Sequence, residues 1–224
     1  MNWRDRIWQI LFPKQCPFCG KNIRWESRCC DACAEMLQKV KFQSGSIKET
    51  YPLAGIFPVF AYQDGVAYAI RRMKFHNHPA IARHLAVYAA EILPEDIYFD
   101  AIVPIPMRQR NIWKRGYNQA ALLAKFISQN SSIPIKEMLV KVRKTRPQHT
   151  LNARERRRNL EGAYALSKTA EVSGQTLLLC DDVVTTGSTL REAAKVLLNG
   201  GAKTVYAVVI AAAGVEDENL VTDL

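Results

Sequence analysis

Residues 177–189 read L-L-L-C-D-D-V-V-T-T-G-S-T, and this run constrains the chain more tightly than any other stretch. Leu177, Leu178, Leu179 and Cys180 suit a strand buried on both faces of a parallel sheet. Asp181 and Asp182 follow where such a strand emerges, and a Thr/Gly/Ser turn leads into a helical pattern running from Leu190 to Leu198. Strand, turn and helix in that order bring unpaired N–H groups and the positive end of a helix dipole to one point, which is the layout of an anion site. Gly187 lets the backbone approach a ligand closely, and the hydroxyls of Thr185, Thr186, Ser188 and Thr189 add donors. Two carboxylates repel an anion, so Asp181 and Asp182 face something that donates hydrogen bonds. Ribose hydroxyls fit.

A phosphate cradle beside two hydroxyl acceptors describes a ribose 5-phosphate pocket. At every position the segment resembles the phosphoribosyl diphosphate (PRPP) motif of type I phosphoribosyltransferases. The resemblance implies PRPP, with Mg²⁺, at Asp181, Asp182, Thr185, Thr186, Gly187, Ser188 and Thr189. The bland alternative is a core strand that ends in an incidental acidic turn. No Gly-x-x-x-x-Gly-Lys-Ser/Thr occurs, which argues against nucleoside triphosphates as ligands.

With 224 residues and 48% hydrophobic content the chain can bury one good core plus a small appendage. Its first thirteen residues hold a short apolar run broken by charge and Pro13, too short for a signal-peptide core or a membrane span. A cytoplasmic protein is expected. A leader carrying Trp3, Trp8 and Phe12 suits a helix packed on the domain behind it, or a peripheral touch on the inner face of a membrane.

Five of the six cysteines crowd into residues 16–33. Cys16-x2-Cys19 and Cys30-x2-Cys33 each present two thiolates, and two such turns close a tetrahedral structural Zn²⁺ site in a segment too small for a core of its own. Cys29 is one residue out of register and reads as a spare thiol, with a swap for Cys30 left open, while Cys180 reads as a small core residue. A redox role is the alternative, but neither Cys-x-x-Cys opens a thioredoxin-like βαβ unit.

Downstream, residues 42–50 read as a polar linker, 53–62 as one or two strands, 65–75 and 79–93 as helices, and 98–103 as a strand. A helix over 117–128, a strand over 138–142, the apolar strand over 177–180, a helix over 188–199 and a strand over 204–211 follow. Alternating strands and helices argue for an α/β fold, a doubly wound parallel sheet with ligands at the carboxyl ends of its strands. The expected organisation is a leader and zinc module over 1–41, a linker over 42–52 and the main domain over 53–224.

Charge is concentrated. Residues 106–119 hold four basic side chains and no acid, with Trp113 and Tyr117 among them; residues 141–158 hold eight basic side chains against Glu155 alone. Those two windows carry eleven surplus positive charges, against a net +10 for the whole chain, so the remainder is near neutral. Like charges gathered in one place repel unless a polyanion neutralises them. A pyrophosphate beside the ribose would use residues 104–108 with Arg143 and Lys144, and the surplus with interleaved aromatics suits single-stranded nucleic acid. Arg108, Arg110, Trp113, Lys114, Arg115, Arg154, Arg156 and Arg157 are the candidates, with merely solvated basic faces as the alternative.

The order of features resembles the ComF (ComFC-like) competence proteins across almost the whole chain. The resemblance rests on the four-cysteine module, Lys74 after a helix, Val103-Pro-Ile-Pro106 and Arg115-Gly-Tyr-Asn-Gln119. It continues through Gln148, Leu151, Arg156 and Asn159 with Gly162-Ala-Tyr164, and ends in the 181–189 motif. Tyr117 and Tyr164 stand where Phe is commoner, and Cys29 is extra. The resemblance implies a type I phosphoribosyltransferase fold with an N-terminal zinc finger. It also implies a part in natural transformation, handling incoming single-stranded DNA in the cytoplasm alongside other competence proteins such as a helicase-like ATPase. An active phosphoribosyltransferase, with Asp181 and Asp182 on the ribose and Arg143 and Lys144 on the leaving pyrophosphate, is the second function class, though no acceptor pocket is visible in the sequence.

Overall fold

The computed structural model describes residues 13–41, 47–50, 52–75, 78–143 and 159–213. Its frame is a sheet in which β2 (Leu53–Ala61), β7 (Thr204–Ala212), β6 (Thr176–Val184) and β3 (Ala101–Pro104) lie parallel in that spatial order, with β1 (Ile47–Thr50) antiparallel on the outer edge of β2. Alternate residues of the central strands enter two separate cores. Leu178, Cys180, Val208 and Ile210 face one side; Leu177, Leu179, Val205, Ala207 and Val209 face the other. Both faces are therefore covered, as a parallel sheet requires.

Helices α2 (Asp64–Phe75), α3 (Ala80–Glu91) and α5 (Gln119–Ser131) fill the first side, α3 with Leu85, Ala86 and Ala89 and α5 with Leu123, Ala124 and Ile127. Helix α6 (Ser188–Asn199) fills the second with Leu190, Ala193, Ala194 and Leu197, a stripe at helical spacing. The expected doubly wound α/β sheet is what the chain forms.

Three elements depart from the sequence reading. β1 lies inside the stretch read as a linker, because the outer edge of β2 offers unpaired backbone groups and pairing satisfies them whatever the side chains. The strand expected at 138–142 forms as β4 (Leu139–Lys141), outside the main sheet, in a two-stranded antiparallel ribbon with β5 (Tyr164–Leu166). The edge of β3 is closed just before it, where Ile102 bridges Ile135, so the chain leaves the sheet before β4 begins. Helix α4 (Gln109–Arg115) has no buried residue, and so had no apolar stripe to announce it.

The cysteine-rich segment packs on the main domain. Cys16, Phe18 and Cys33 belong to the first core, and the Phe18 ring meets Phe60 and Tyr88 edge to face at 6.5 and 6.3 Å. Helix α1 (Asp31–Val40) adds Leu37 and Val40 to the same core. Contact at Gly65 is so close that a Cβ there would lie 2.7 Å from Met36 Cε and 3.0 Å from the Phe18 carbonyl oxygen. The segment thus borrows a core that its own length cannot supply.

Candidate functional site

β6 outruns one of its neighbours. Pairing with β3 ends at Pro104 opposite Cys180, whereas pairing with β7 continues to Val184 opposite Ala212. Asp181 and Asp182 sit in this overhang, still in the strand, one residue past the point where β3 turns away. A crevice at the carboxyl ends of the strands results, where open α/β sheets take their ligands. The Asp182 N–H donates to Asp181 Oδ1 at 2.8 Å. Gly187 holds φ 67° and ψ 0°, a left-handed conformation, and serves as the N-cap of α6, with no side chain capping that helix. Thr186 and Ser188 share a hydroxyl hydrogen bond of 2.9 Å, and Arg191 donates to the Thr186 carbonyl at 2.6 Å, so the turn is held from inside the helix.

Cations surround the carboxylates. Lys74, in the last turn of α2, places Nζ 2.7 Å from Asp182 Oδ1. Burial alone would lower the Lys74 ammonium, but Asp182, with Asp181 and Tyr62 behind it, more than offsets this and holds it above its ordinary value. On the other side, burial and then the nearby Arg108 lower Lys141, with Asp181 opposing them. Burial, with Asp182 beside it, pushes the Asp181 carboxyl up to about 7 against the pull of the Asp182 N–H, Lys74 and Lys141. Lys141 also lies over the Tyr164 ring at 5.3 Å, its cross-strand partner in the ribbon. The buried Tyr164 phenol is itself raised by burial and by Asp181. Sequence reasoning quoted Lys74 and Tyr164 without a site role and missed Lys141; only the fold brings them to β6.

The Arg115-Gly-Tyr-Asn-Gln119 run joins the neighbouring elements. Gly116 ends α4 in a left-handed conformation, the Tyr117 hydroxyl donates to the Met73 carbonyl, and Asn118 caps α5 through Ala120 N–H at 3.1 Å while donating to the Ile105 carbonyl at 3.0 Å. Arg115 reaches Gln119 Oε1 at 3.3 Å and lies over the Phe75 ring at 5.2 Å.

Of the nucleic-acid candidates, Arg110, Trp113 and Lys114 are exposed on α4, Trp113 at 79%, while Arg108 and Arg115 are half-buried. Arg143, expected on the pyrophosphate, donates to the carbonyls of Asn159 at 3.1 Å and Glu161 at 2.6 Å. Lys144, Arg154, Arg156 and Arg157 lie outside the described residues, as do Trp3, Trp8 and Phe12.

At the other end, the sulfur atoms of Cys16, Cys19, Cys30 and Cys33 all lie within 4.8 Å of one another, with 3.6 Å between Cys19 and Cys30, so they could hold a metal ion. Four thiolates at about 2.3 Å from a tetrahedral ion would lie about 3.8 Å apart, close to this arrangement. The Cys33 N–H, at the start of α1, pulls the Cys30 thiol down to about 7. Cys29 stands apart from the four, half-buried beside Tyr88, and that partial burial raises its thiol. Among the described residues no helix is long and apolar enough to cross a membrane.

Comparison with known proteins adds three relatives and a family. The phosphoribosyl transferase domain matches residues 72–221. Competence protein F of Haemophilus influenzae is 33% identical over 199 residues, 85% of this chain and 86% of that one. DNA utilization protein YhgH of Escherichia coli is 32% identical over 198 residues with the same two shares, 85% and 86%. Competence protein ComFC of Bacillus subtilis is 26% identical over 194 residues, 83% of this chain and 72% of that one.

The raised Asp181 carboxyl has a consequence for stability. Between its ordinary value of 3.8 and about 7 the folded chain holds a proton that the unfolded chain releases. Stability from this group is therefore full at low pH and is lost as pH rises through that window. Asp181→Asn removes the loss, so urea unfolding should show the variant gaining on the parent between pH 5 and pH 8; a gap unchanged over about three pH units would contradict the assignment.

Proposed function

Because this chain belongs to the phosphoribosyl transferase domain family and to the competence protein F and YhgH family, we propose that it binds PRPP and handles single-stranded DNA in natural transformation. The observation that carries the first part is the pair Asp181 and Asp182 on the β6 overhang, beside the left-handed Gly187 and the side-chain-uncapped start of α6. In this reading the turn from Thr185 to Thr189 takes the 5-phosphate and the carboxylates take the ribose hydroxyls. Mg²⁺ bound together with PRPP would supply charge neutralisation for the pyrophosphate, with Asp181 and Asp182 on the ribose. Arg143 and Lys144 belong to the enzyme reading, in which an acceptor nitrogen displaces pyrophosphate, and pyrophosphate release from PRPP across a panel of bases separates that reading from binding alone.

Support for the DNA part is the exposed helix α4, where Trp113 projects among Arg110 and Lys114, together with the names of the relatives, a DNA utilization protein and a competence protein. Arg108, Arg115, Arg154, Arg156 and Arg157 complete the proposed basic surface. Zinc on Cys16, Cys19, Cys30 and Cys33 fits the donor chemistry, since four thiolates suit a closed structural site.

Calorimetry tests the pocket. Asp182→Ala should weaken PRPP more than inorganic phosphate, because the carboxylate pairs with ribose and the turn with phosphate; equal losses would sink that division of roles. Elemental analysis should find one zinc per chain, lost in Cys30→Ser and kept in Cys29→Ser, and the reverse pattern would shift the register. Single-stranded DNA affinity should fall steeply with salt, and Trp113→Ala should cost about 1–3 kcal/mol with little change of slope. A salt-independent affinity would return α4 to a solvated basic face.

A further inference from the structure

The carboxylate pair already has a cation of its own. Lys74 Nζ stands 2.7 Å from Asp182 Oδ1, and its charge also reaches Asp181. The ammonium is not a loose surface arm. Lys74 lies in the last turn of α2, where the helix dipole favours a positive charge, and the carbonyl of its neighbour Met73 accepts the Tyr117 hydroxyl. Tyr117 in turn sits between the Gly116 turn and the Asn118 cap, so the segment linking α4 to α5 holds the turn that carries the lysine.

Two cations, Lys74 and Lys141, bear on the two carboxylates, with Arg108 beside Lys141. The carboxylate pair is thus matched by cations of the chain itself, so no added ion is needed to neutralise it. A dication at Asp182 would either displace Lys74, leaving a mostly buried ammonium without its partner, or sit beside it at a cost in repulsion. A pyrophosphate brings several further negative charges and reverses that balance.

We propose that Lys74 is the built-in cation of the Asp181 and Asp182 pair, so that a ribose 5-phosphate group binds there without a divalent ion and the ion is required only when the ligand also carries pyrophosphate. The inference rests on the ribose-phosphate reading of the pocket. In it Lys74 is a positioning residue: its ammonium, 2.7 Å from Oδ1, fixes the Asp182 carboxylate with its remaining lone pairs available to hydroxyl donors before any ligand arrives.

The test is calorimetry on the full chain with ribose 5-phosphate, with Mg²⁺ and in buffer freed of divalent ions without chelator, beside PRPP in Mg²⁺. The parent protein should bind ribose 5-phosphate with affinities that agree within about twofold in the two buffers. Lys74→Met should lose about tenfold or more without Mg²⁺ and regain most of it with Mg²⁺, the ion taking the place of the lysine, while Lys74→Arg stays near the parent. A merely structural lysine would not exchange with Mg²⁺ in this way. If the parent needs Mg²⁺ for ribose 5-phosphate by about tenfold, or if Lys74→Met binds like the parent without it, the inference is overturned. The parent comparison decides even if Lys74→Met fails to fold. PRPP binding retained alongside such a result removes the Lys74 inference alone; absence of binding for both ligands in every buffer removes the pocket reading and this inference with it.

Discussion

Two adjacent carboxylates on an inner strand of a buried parallel sheet are the constraint around which the rest of this molecule is arranged. Leaving either charged and unpaired in that position would be strongly unfavourable, since burial penalises the ionised form and each carboxylate repels the other. The chain answers with distant segments. Lys74 arrives from the end of α2 and Lys141 from the ribbon, with Arg108, in the loop that follows β3, next to Lys141. Even so Asp181 is left at about 7, a sign that the balance is incomplete and that the overhang is suited to a ligand that brings hydrogen-bond donors.

The cysteine-rich segment obeys a different constraint. About thirty residues cannot bury enough apolar surface to be stable alone. Two devices act together: four thiols gathered within 4.8 Å, and a wedge of Phe18 between Phe60 and Tyr88 on the main domain. The ion pair of Arg28 with Glu91 at 2.7 Å adds a contact at the rim, but both partners are well exposed and contribute little. The expected division at residue 41 is thus a division of composition, while the core runs across it.

What was legible in the sequence follows the range of the forces involved. The alternation of Leu177 and Leu179 against Leu178 and Cys180, and the stripe of Leu190, Ala193, Ala194 and Leu197, are local patterns, and they match the two cores closely. The turn from Asp181 to Thr189 was readable for the same reason, and so was the cysteine spacing. β1, α4 and the β4–β5 ribbon were not, because a polar edge strand, an unburied helix and a two-stranded ribbon owe their form to neighbours remote in sequence. Lys74 and Lys141 escaped as site residues for a related reason: a lysine is known as a counterion only once its carboxylate is beside it. Arg143, expected on a pyrophosphate from its place in a basic run, sets its guanidinium on the Asn159 and Glu161 carbonyls, a pairing across sixteen and eighteen residues that no local pattern announces.

Helix α4 gives the charge concentration a geometric meaning. Its N-cap Arg108 bears on Lys141 at the crevice, and Trp113, five residues on, stands 79% exposed. At about 1.5 Å of rise per residue, that separation is under about 10 Å along the axis, comparable to one or two nucleotides of an extended strand. Arg115 at the far end turns back to lie over Phe75, the residue after Lys74. The basic helix and the carboxylate crevice are therefore neighbours at both ends, Arg108 repelling Lys141 at one and Arg115 lying over Phe75, next to Lys74, at the other. A polyanion settling on α4 would change the field at the carboxylates. A surface for a strand and a pocket for a ribose phosphate would in this chain be two parts of one electrostatic unit.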